Sequence, residues 1–388
     1  MRALLLSAAA VLAGPALAAD WTVSPFAAQF DNLSFSAGGL ASGALFAPDA
    51  PKGVGAPQQW ATGLADLNFK LQRDYDSGLS LSLKSTLEVL RDRLSYDNYG
   101  GALFAKVYGQ AQTGLGTIEV GMNDGVASQM AVIGPMVDAI TSIDNPSATF
   151  FIDPSTHRSF QEAFDLSTAQ NASLNYAKIS YTTPRLFGVQ FGVSYTPGEN
   201  REVVPFLNNG PHAANRQKSI WETAASYSSD FEDFSLGFYG AASFAHGDGK
   251  APGDAGLTDW GVGAEIDVPL NEALKLAFGG GYRHANDFGF DLYSVSTAAG
   301  SESIHLSSAL TWNDWSFGGE YGRGTASDGA TVIGVKAYEV SLGYQINTNL
   351  QATVGWQEMV YDRNLATWYD GSQRIRLDAG FLHLKFKV

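Results

Sequence analysis

Leu79-Ser80-Leu81-Ser82-Leu83-Lys84-Ser85-Thr86-Leu87-Glu88-Val89 places an apolar residue at every odd position except Ser85 and a polar one at every even position. Side chains on a β-strand alternate between two faces, so period two predicts a strand with one apolar and one polar side. The pattern recurs in Phe234, Leu236, Phe238, Ala242 and Phe244, whose alternate partners are Ser235, Gly237, Tyr239, Ala241 and Ser243. It recurs where Leu276, Phe278 and Tyr282 oppose Lys275, Gly279 and Arg283. Further copies run from Trp260 to Val268, Ile304 to Trp312, Trp315 to Tyr321, Tyr338 to Ile346 and Leu350 to Trp356. Helical periodicity is scarce, which argues against an α/β enzyme.

The connections between these runs alternate in length. Short turns are Asp76-Ser77-Gly78, Thr113-Gly114, Thr183-Pro184-Arg185, Ser229 to Glu232, Pro269 to Glu272, Asn313-Asp314 and Asn347-Thr348-Asn349, all rich in turn-forming residues. Long polar, Gly-rich or acidic segments lie near 47–61, 92–98, 122–170, 197–218, 246–257, 285–301, 324–335 and 362–372. Seven short turns and eight long loops predict sixteen strands, with both termini on the short-turn side. Lipid offers the backbone no hydrogen bonds, so strands that meet lipid must close on themselves. The expected fold is therefore all-β, a closed antiparallel transmembrane barrel of about sixteen strands. Its apolar face meets outer-membrane lipid and lipopolysaccharide, and its polar face lines a water-filled lumen. Trp221, Tyr227, Trp312, Trp315, Tyr344, Trp356 and Tyr361 fit interfacial aromatic girdles.

The first residues read as an export signal. Arg2 precedes an apolar run from Ala3 to Ala13, and Ala16-Leu17-Ala18 suits cleavage after Ala18, leaving 19–388 as the barrel. The run is too short for a spanning helix, and charged residues or glycines interrupt every later apolar stretch. The 388 residues include no Cys, so stability does not rest on disulfides, and a net charge of -15 argues against nucleic acid as a partner.

Gly114 to Gly125, reading Gly-Leu-Gly-Thr-Ile-Glu-Val-Gly-Met-Asn-Asp-Gly, resembles the strand leading into the constriction loop of Gram-negative general porins, closest to the alphaproteobacterial branch. Leu174-Asn175-Tyr176, followed by Tyr181 to Pro197 with its Thr183-Pro184-Arg185 turn, resembles the strand, turn and strand after that loop. The resemblance implies a homotrimer of sixteen-stranded barrels, each narrowed by its third long loop, here 122–170, folded into the lumen. Its implied function is passive diffusion of small hydrophilic solutes and ions across the outer membrane. One departure is the C-terminus: family members usually end in Phe or Trp, this chain in Val388. The alternation also changes phase between Ile375, Leu377, Ala379, Phe381 and Leu382, Leu384, Phe386, for which a bulge near Gly380 is one explanation.

The long third loop holds Asp124, Asp138, Asp144, Asp153, Glu162 and Asp165, the acidic side of the expected constriction. Solvated loop charges are the alternative reading for each, and Asp124, directly after its strand, is the best placed. The apolar run from Ala131 to Ile143 is suited to pack the loop against the wall, with a short helix as one form. Opposing charge is expected from Lys70, Lys84, Lys106, Arg374 and Arg376, each beside an apolar neighbour in an alternating strand. A cation on the lipid face costs roughly 2 to 4 kcal/mol at mid-membrane, which favours the lumen. Acid on the loop and base on the wall would set a transverse field.

Catalytic and cofactor readings find no support. There is no Gly-x-Ser-x-Gly elbow, His-Glu-x-x-His helix or phosphate-binding glycine loop in a suitable context, and the six His show no metal-ligand spacing. The expectation is no catalytic site, no cofactor and no metal. Three alternatives stay open: a substrate-specific sugar or anion channel with Phe150, Phe151, Phe160 and Phe164 as a stacking track, an outer-membrane barrel enzyme, and a secreted β-sandwich.

Overall fold

The computed structural model describes residues 23–49, 61–91, 104–144, 152–153, 158–159, 166–170, 172–198, 217–247, 256–286, 300–327, 332–363 and 373–388. The expected signal peptide, Glu162, Asp165 and the four loop phenylalanines lie outside them. A short β1 (Phe26–Phe30) leads into β2 (Leu33–Asp49), β3 (Ala61–Asp74), β4 (Ser80–Arg91), β5 (Phe104–Thr113) and β6 (Gly116–Met122). The third long loop then carries a single helical turn α1 (Val126–Gln129) and a two-residue hairpin of β7 (Ile152–Asp153) and β8 (Arg158–Ser159). After it come β9 (Ala177–Thr182), β10 (Val189–Gly198), β11 (Gln217–Asp230), β12 (Ser235–Gly247), β13 (Thr258–Pro269) and β14 (Leu274–Ala285). The chain finishes with β15 (Gly300–Trp312), β16 (Trp315–Ser327), β17 (Val332–Gln345), β18 (Leu350–Arg363) and β19 (Arg374–Lys387).

Each strand pairs antiparallel with its sequence neighbour, β6 pairs with β9 across the long loop, and β19 pairs with β2 to close the ring. Five strands before the loop and eleven after it make the sixteen staves of the barrel. β1 extends the edge of β2 below the end of β19, with Phe26 opposite Ala37 and Phe30 opposite Leu33. All seven short turns and all eight long segments fall where the spacing places them. Closure gives each of the sixteen staves a partner on both sides among the described residues, which lipid demands.

One face of each strand carries exposed large apolar residues such as Leu83, Val120, Phe191, Phe238, Phe278, Leu306, Phe317 and Leu384. Trp312, Trp315 and Tyr344 stand beside short turns, with Trp315 and Tyr344 rings 4.5 Å apart, as an interfacial girdle would. Tyr361 departs from the girdle expectation. It is buried on the opposite face, in an apolar cluster with Val335, Met359, Ile375, Leu377, Phe381 and Phe46. Nor is there a bulge at Gly380: β19 pairs continuously with both β18 and β2. The phase change has another cause. Odd positions of β19 face inward throughout, and in its first half they are apolar because residues of the long loop, Ile143 and Leu166, pack on them.

The loop follows the inner wall out and back. Outward, Val126 and Met130 pack on Ala224 and Tyr239, the chain passes Gly263 and Gly279, and Asp138 reaches β18 and β19. Returning, Ser142 binds Glu320, Thr168 binds Asp144, Gln170 binds Ala241 and Ser173 binds Glu222. Close approach needs glycine. A Cβ on Gly263 would fall 1.8 Å from the Val132 carbonyl, and one on Gly125 1.4 Å from Glu222 Oε2. The run from Ala131 to Ile143 packs the wall as expected, but the helical turn precedes it.

Candidate functional site

Because the loop covers β10 to β19, the inward positions left open belong to β2 through β6. There the barrel holds a cavity of about 510 Å³. Lys70, Lys84, Lys106, Tyr108, Glu119 and Asp124 line it, with Asn68, Thr86, Asn123 and Gln129 among the neutral groups. Antiparallel register explains the cluster. Lys70 lies directly opposite Lys84, Lys84 opposite Tyr108, and Thr86 opposite Lys106, so three adjacent strands present their ammonium groups as one arc.

Directly opposed side chains have Cβ atoms about 5 Å apart, and like charges so placed repel. Neither Lys70 nor Lys84 has an ion-pair partner among the described residues. Lys84 Nζ lies 5.6 Å from the centre of the Tyr108 ring, whose electron-rich face offers partial compensation. Lys106 differs, because its ammonium is paired with Asp124.

The carboxylates are held more tightly than the cations. Glu119 accepts hydrogen bonds from Gln110 at 2.8 Å, Asn123 at 2.6 Å and Gln129 at 3.0 Å. Gln129 also donates to the Asp124 carbonyl at 2.8 Å, tying α1 to the end of β6. Glu119 was absent from the sequence-based candidates. The signal was present, since Ile118 and Val120 flank it in the same alternation that nominated the lysines.

Lys70, Lys84, Lys106 and Asp124 are thus brought together, and other candidates are placed elsewhere. Asp138 and Asp144 are buried against the wall and do not face the cavity. Asp138 lies 2.5 Å from His383 Nδ1 and 3.5 Å from Lys385, and accepts hydrogen bonds from Thr353 and the Ile140 amide. Burial pushes its carboxyl up, but His383, Lys385 and the amide outweigh that and hold it below the usual carboxylate range. Asp153 belongs to β7, and its side chain is outside the described set.

Arg374 and Arg376 occupy even positions of β19 and point away from the lumen. Arg376 meets Glu358 at 2.7 Å and Asp378 at 3.3 Å, and Arg374 meets Asp362 at 3.5 Å, all on the outer surface. The correction has the cause that removed the bulge: with the loop packed on Ile375 and Leu377, the apolar face of this half-strand is the inner one.

The wall under the loop supplies polar groups that sequence reading passed over. Glu222 accepts the Ser173 amide at 3.1 Å and the Ser194 hydroxyl at 2.8 Å. Ser142 donates to Glu320 at 2.6 Å, and His305 sits between Glu320 at 3.1 Å and the Ile133 carbonyl at 3.2 Å. Gln357 donates to the Thr141 carbonyl and to Glu339 at 2.5 Å. These groups anchor the loop.

A family model described as Gram-negative porin matches residues 4–364. The fold resembles OmpF of Salmonella typhi in complex with daunomycin, with a TM-score of 0.58 at 13% identity over 93% of this chain and 100% of that one. It also resembles an anion-selective porin from Comamonas acidovorans, TM-score 0.55 at 14% identity over 92% and 100%. OmpT, an outer membrane protein of Vibrio cholerae, gives 0.53 at 12% identity over 93% and 99%. No curated protein matches the sequence.

Proposed function

The chain belongs to the Gram-negative porin family, and from that premise we propose that its diffusion channel is narrowed by the third loop and made net positive by Lys70 and Lys84. As a porin it sits in the outer membrane and passes small hydrophilic solutes. The observation that carries the finer reading is the charge count at the cavity. Three ammonium groups face two carboxylates, and Lys106 with Asp124 forms a closed pair. Glu119 is left to offset both Lys70 and Lys84. Asp66 and Glu88, four residues nearer the long-loop end, do not line this cavity. A fixed charge acts strongly only where the channel is narrower than the screening length of about 8 Å, so the net charge of -15 spread over the chain does not decide selectivity.

The test is reversal potential in a tenfold salt gradient across a planar bilayer. The parent channel is expected to favour anions, and Lys70→Gln with Lys84→Gln to move it toward cations. An unchanged potential in the double variant would remove these lysines from the constriction.

The reading includes a trimer. Ala37, Gly39, Ala41 and Gly43 alternate outward on β2 beside Gly63 and Ala65 of β3, a surface of small side chains that lets two barrels approach closely. Native mass in mild detergent tests it, and monomer alone would count against it. The reading also includes cleavage after Ala18 and a channel without catalytic activity.

A further inference from the structure

Arg323 of β16 and Lys336 of β17 are direct cross-strand partners, both exposed, on the face that carries Phe317, Tyr338 and Val340. Two cations opposed on a lipid-facing wall repel each other and need an anion. The barrel supplies none to them among the described residues. In register, their neighbours are Ile304 on one side and Val360 on the other, Thr325 and Gly334 above, and Tyr321 and Tyr338 below. Every one of these is neutral.

The nearest acidic residues lie diagonally and are engaged elsewhere. Glu302 is 3.5 Å from His284, Asp362 is 3.5 Å from Arg374, and Glu358 is 2.7 Å from Arg376. On the outer belt Glu358, Asp362 and Asp378 gather around Arg374 and Arg376, and none of them forms an ion pair with Arg323 or Lys336 among the described residues.

Height along the strand says what meets it. Trp315, paired with Tyr344, marks the short-turn edge of the apolar band. Eight residues on, Arg323 lies roughly 27 Å along the strand, or about 20 Å in height at a tilt near 40°, close to the far edge of a band about 25 Å tall. Tyr321 and Tyr338, with ring centres 5.3 Å apart, lie just beneath as the aromatic step of that edge. Long cationic side chains at such a level reach upward into the headgroup layer.

We infer that Arg323 and Lys336 form a binding site for a phosphate group on the headgroup of an outer-leaflet glycolipid. Two cation-bearing Cβ atoms about 5 Å apart suit one phosphate, with the guanidinium forking two of its oxygens and the ammonium meeting a third. Tyr321 and Tyr338 would support the sugar or the first acyl carbons.

The full-length protein in mild detergent is titrated with bis-phosphorylated lipid A and, separately, with its dephosphorylated form, and adducts are counted by native mass spectrometry. The parent should bind the phosphorylated form more tightly. Arg323→Gln with Lys336→Gln should weaken it about thirtyfold, as expected when the two cations near the surface contribute about 1 kcal/mol each, and leave the dephosphorylated form unaffected. Arg323→Lys, which keeps the charge, should restore most of the affinity and guards against a folding artefact. Inorganic phosphate at the same concentration should not displace the lipid. Equal binding by parent and double variant, equal binding of the two lipids, or displacement by free phosphate would overturn the site. Conductance of the double variant, measured in parallel, should equal the parent's, so failure here is separable from failure of the channel reading.

Discussion

From β3 to β6, and on the half of β2 nearer the short turns, the inward positions remain open to the cavity and carry Lys70, Lys84, Lys106, Tyr108 and Glu119, while Ala44 and Phe46 of β2 lie in the cluster under the loop. From β10 to β19 the inward positions are sealed by the long loop and carry Glu222, Asp259, His305, Glu320, Glu339 and His383 beside Ile375, Leu377 and Phe381. Both arcs show the same alternation. They differ in what covers the inner face, and cover decides what a charge does. On the open arc a charge meets solute, whereas on the sealed arc it satisfies the loop backbone, as Glu222 does for Ser173. A buried group left without a partner costs more than a paired one returns, so Glu222, Glu320 and His305 of the sealed arc each meet a polar group of the loop. The open arc tolerates uncompensated lysines because water reaches them.

Removing the cover is the strongest way to test this contrast. Deleting Val126 to Asp144 should open the sealed arc, raising single-channel conductance severalfold and admitting larger sugars in liposome swelling. The ladder hydrogen bonds are untouched, so the barrel should still assemble. Thermal stability should fall, because Ile375, Leu377, Phe381 and Tyr361 lose their apolar contacts with the loop and face water. Parental conductance would mean that the loop does not narrow the pore, and unchanged stability would mean that the packing on β19 contributes little.

A smaller effect is expected from cutting one anchor. Asp138→Asn removes the charge that meets His383 and Lys385 while keeping the size of the side chain. Breaking one side of a buried ionic contact costs roughly 3 kcal/mol, so the outward limb should loosen and current noise should rise. Acid should mimic the variant. The Asp138 carboxyl is held below its ordinary value, so its stabilisation is fully present above the unfolded pKa of about 3.9. It is lost as pH falls through the depressed folded value. The part of the noise that Asp138→Asn adds to the parent channel should therefore stay constant from neutral pH down to about 4 and shrink only below it. An Asp138→Asn channel as quiet as the parent at pH 7 would show that the remaining contacts suffice.

The sequence was informative where one rule governs both faces. Period two located the strands, turn residues set the alternation of short and long connections, strand phase nominated Lys70, Lys84 and Lys106, and position directly after a strand nominated Asp124. Glu119 is readable by the same rule, since Ile118 and Val120 flank it. What alternation cannot say is which face is inside. On the open arc polar means lumen, so phase and polarity agree. On β19 the loop makes the inner face apolar, and the same inference sends Arg374 and Arg376 to the wrong side. Asp138 and Asp144 failed for a related reason. A loop carboxylate looks identical in sequence whether it faces the pore or the wall, and only partners hundreds of residues away, His383 and His305 among them, decide it.

The smallest effect is the one that most directly separates the two arcs. Arg376 and Lys84 both lie within a strand beside an apolar residue in sequence, and alternation alone treats them alike. Lys84 lines the cavity, whereas Arg376 stands on the outer surface between Glu358 and Asp378, with a wall and a packed loop between it and the ion path. Low dielectric alone would let its field through, but its side chain is more than half exposed on the far side of the wall, where solvent screens it, and water in the pore screens what crosses. Arg376→Gln should therefore leave the reversal potential unchanged, and stability should shift by no more than about 1 kcal/mol, as for other exposed ion pairs. Lys84→Gln measured alongside should move the potential. If Arg376→Gln moves it as far, the first half of β19 faces the lumen after all, the apolar packing of Ile375 and Leu377 under the loop is wrong, and the division into a sealed and an open arc fails with it.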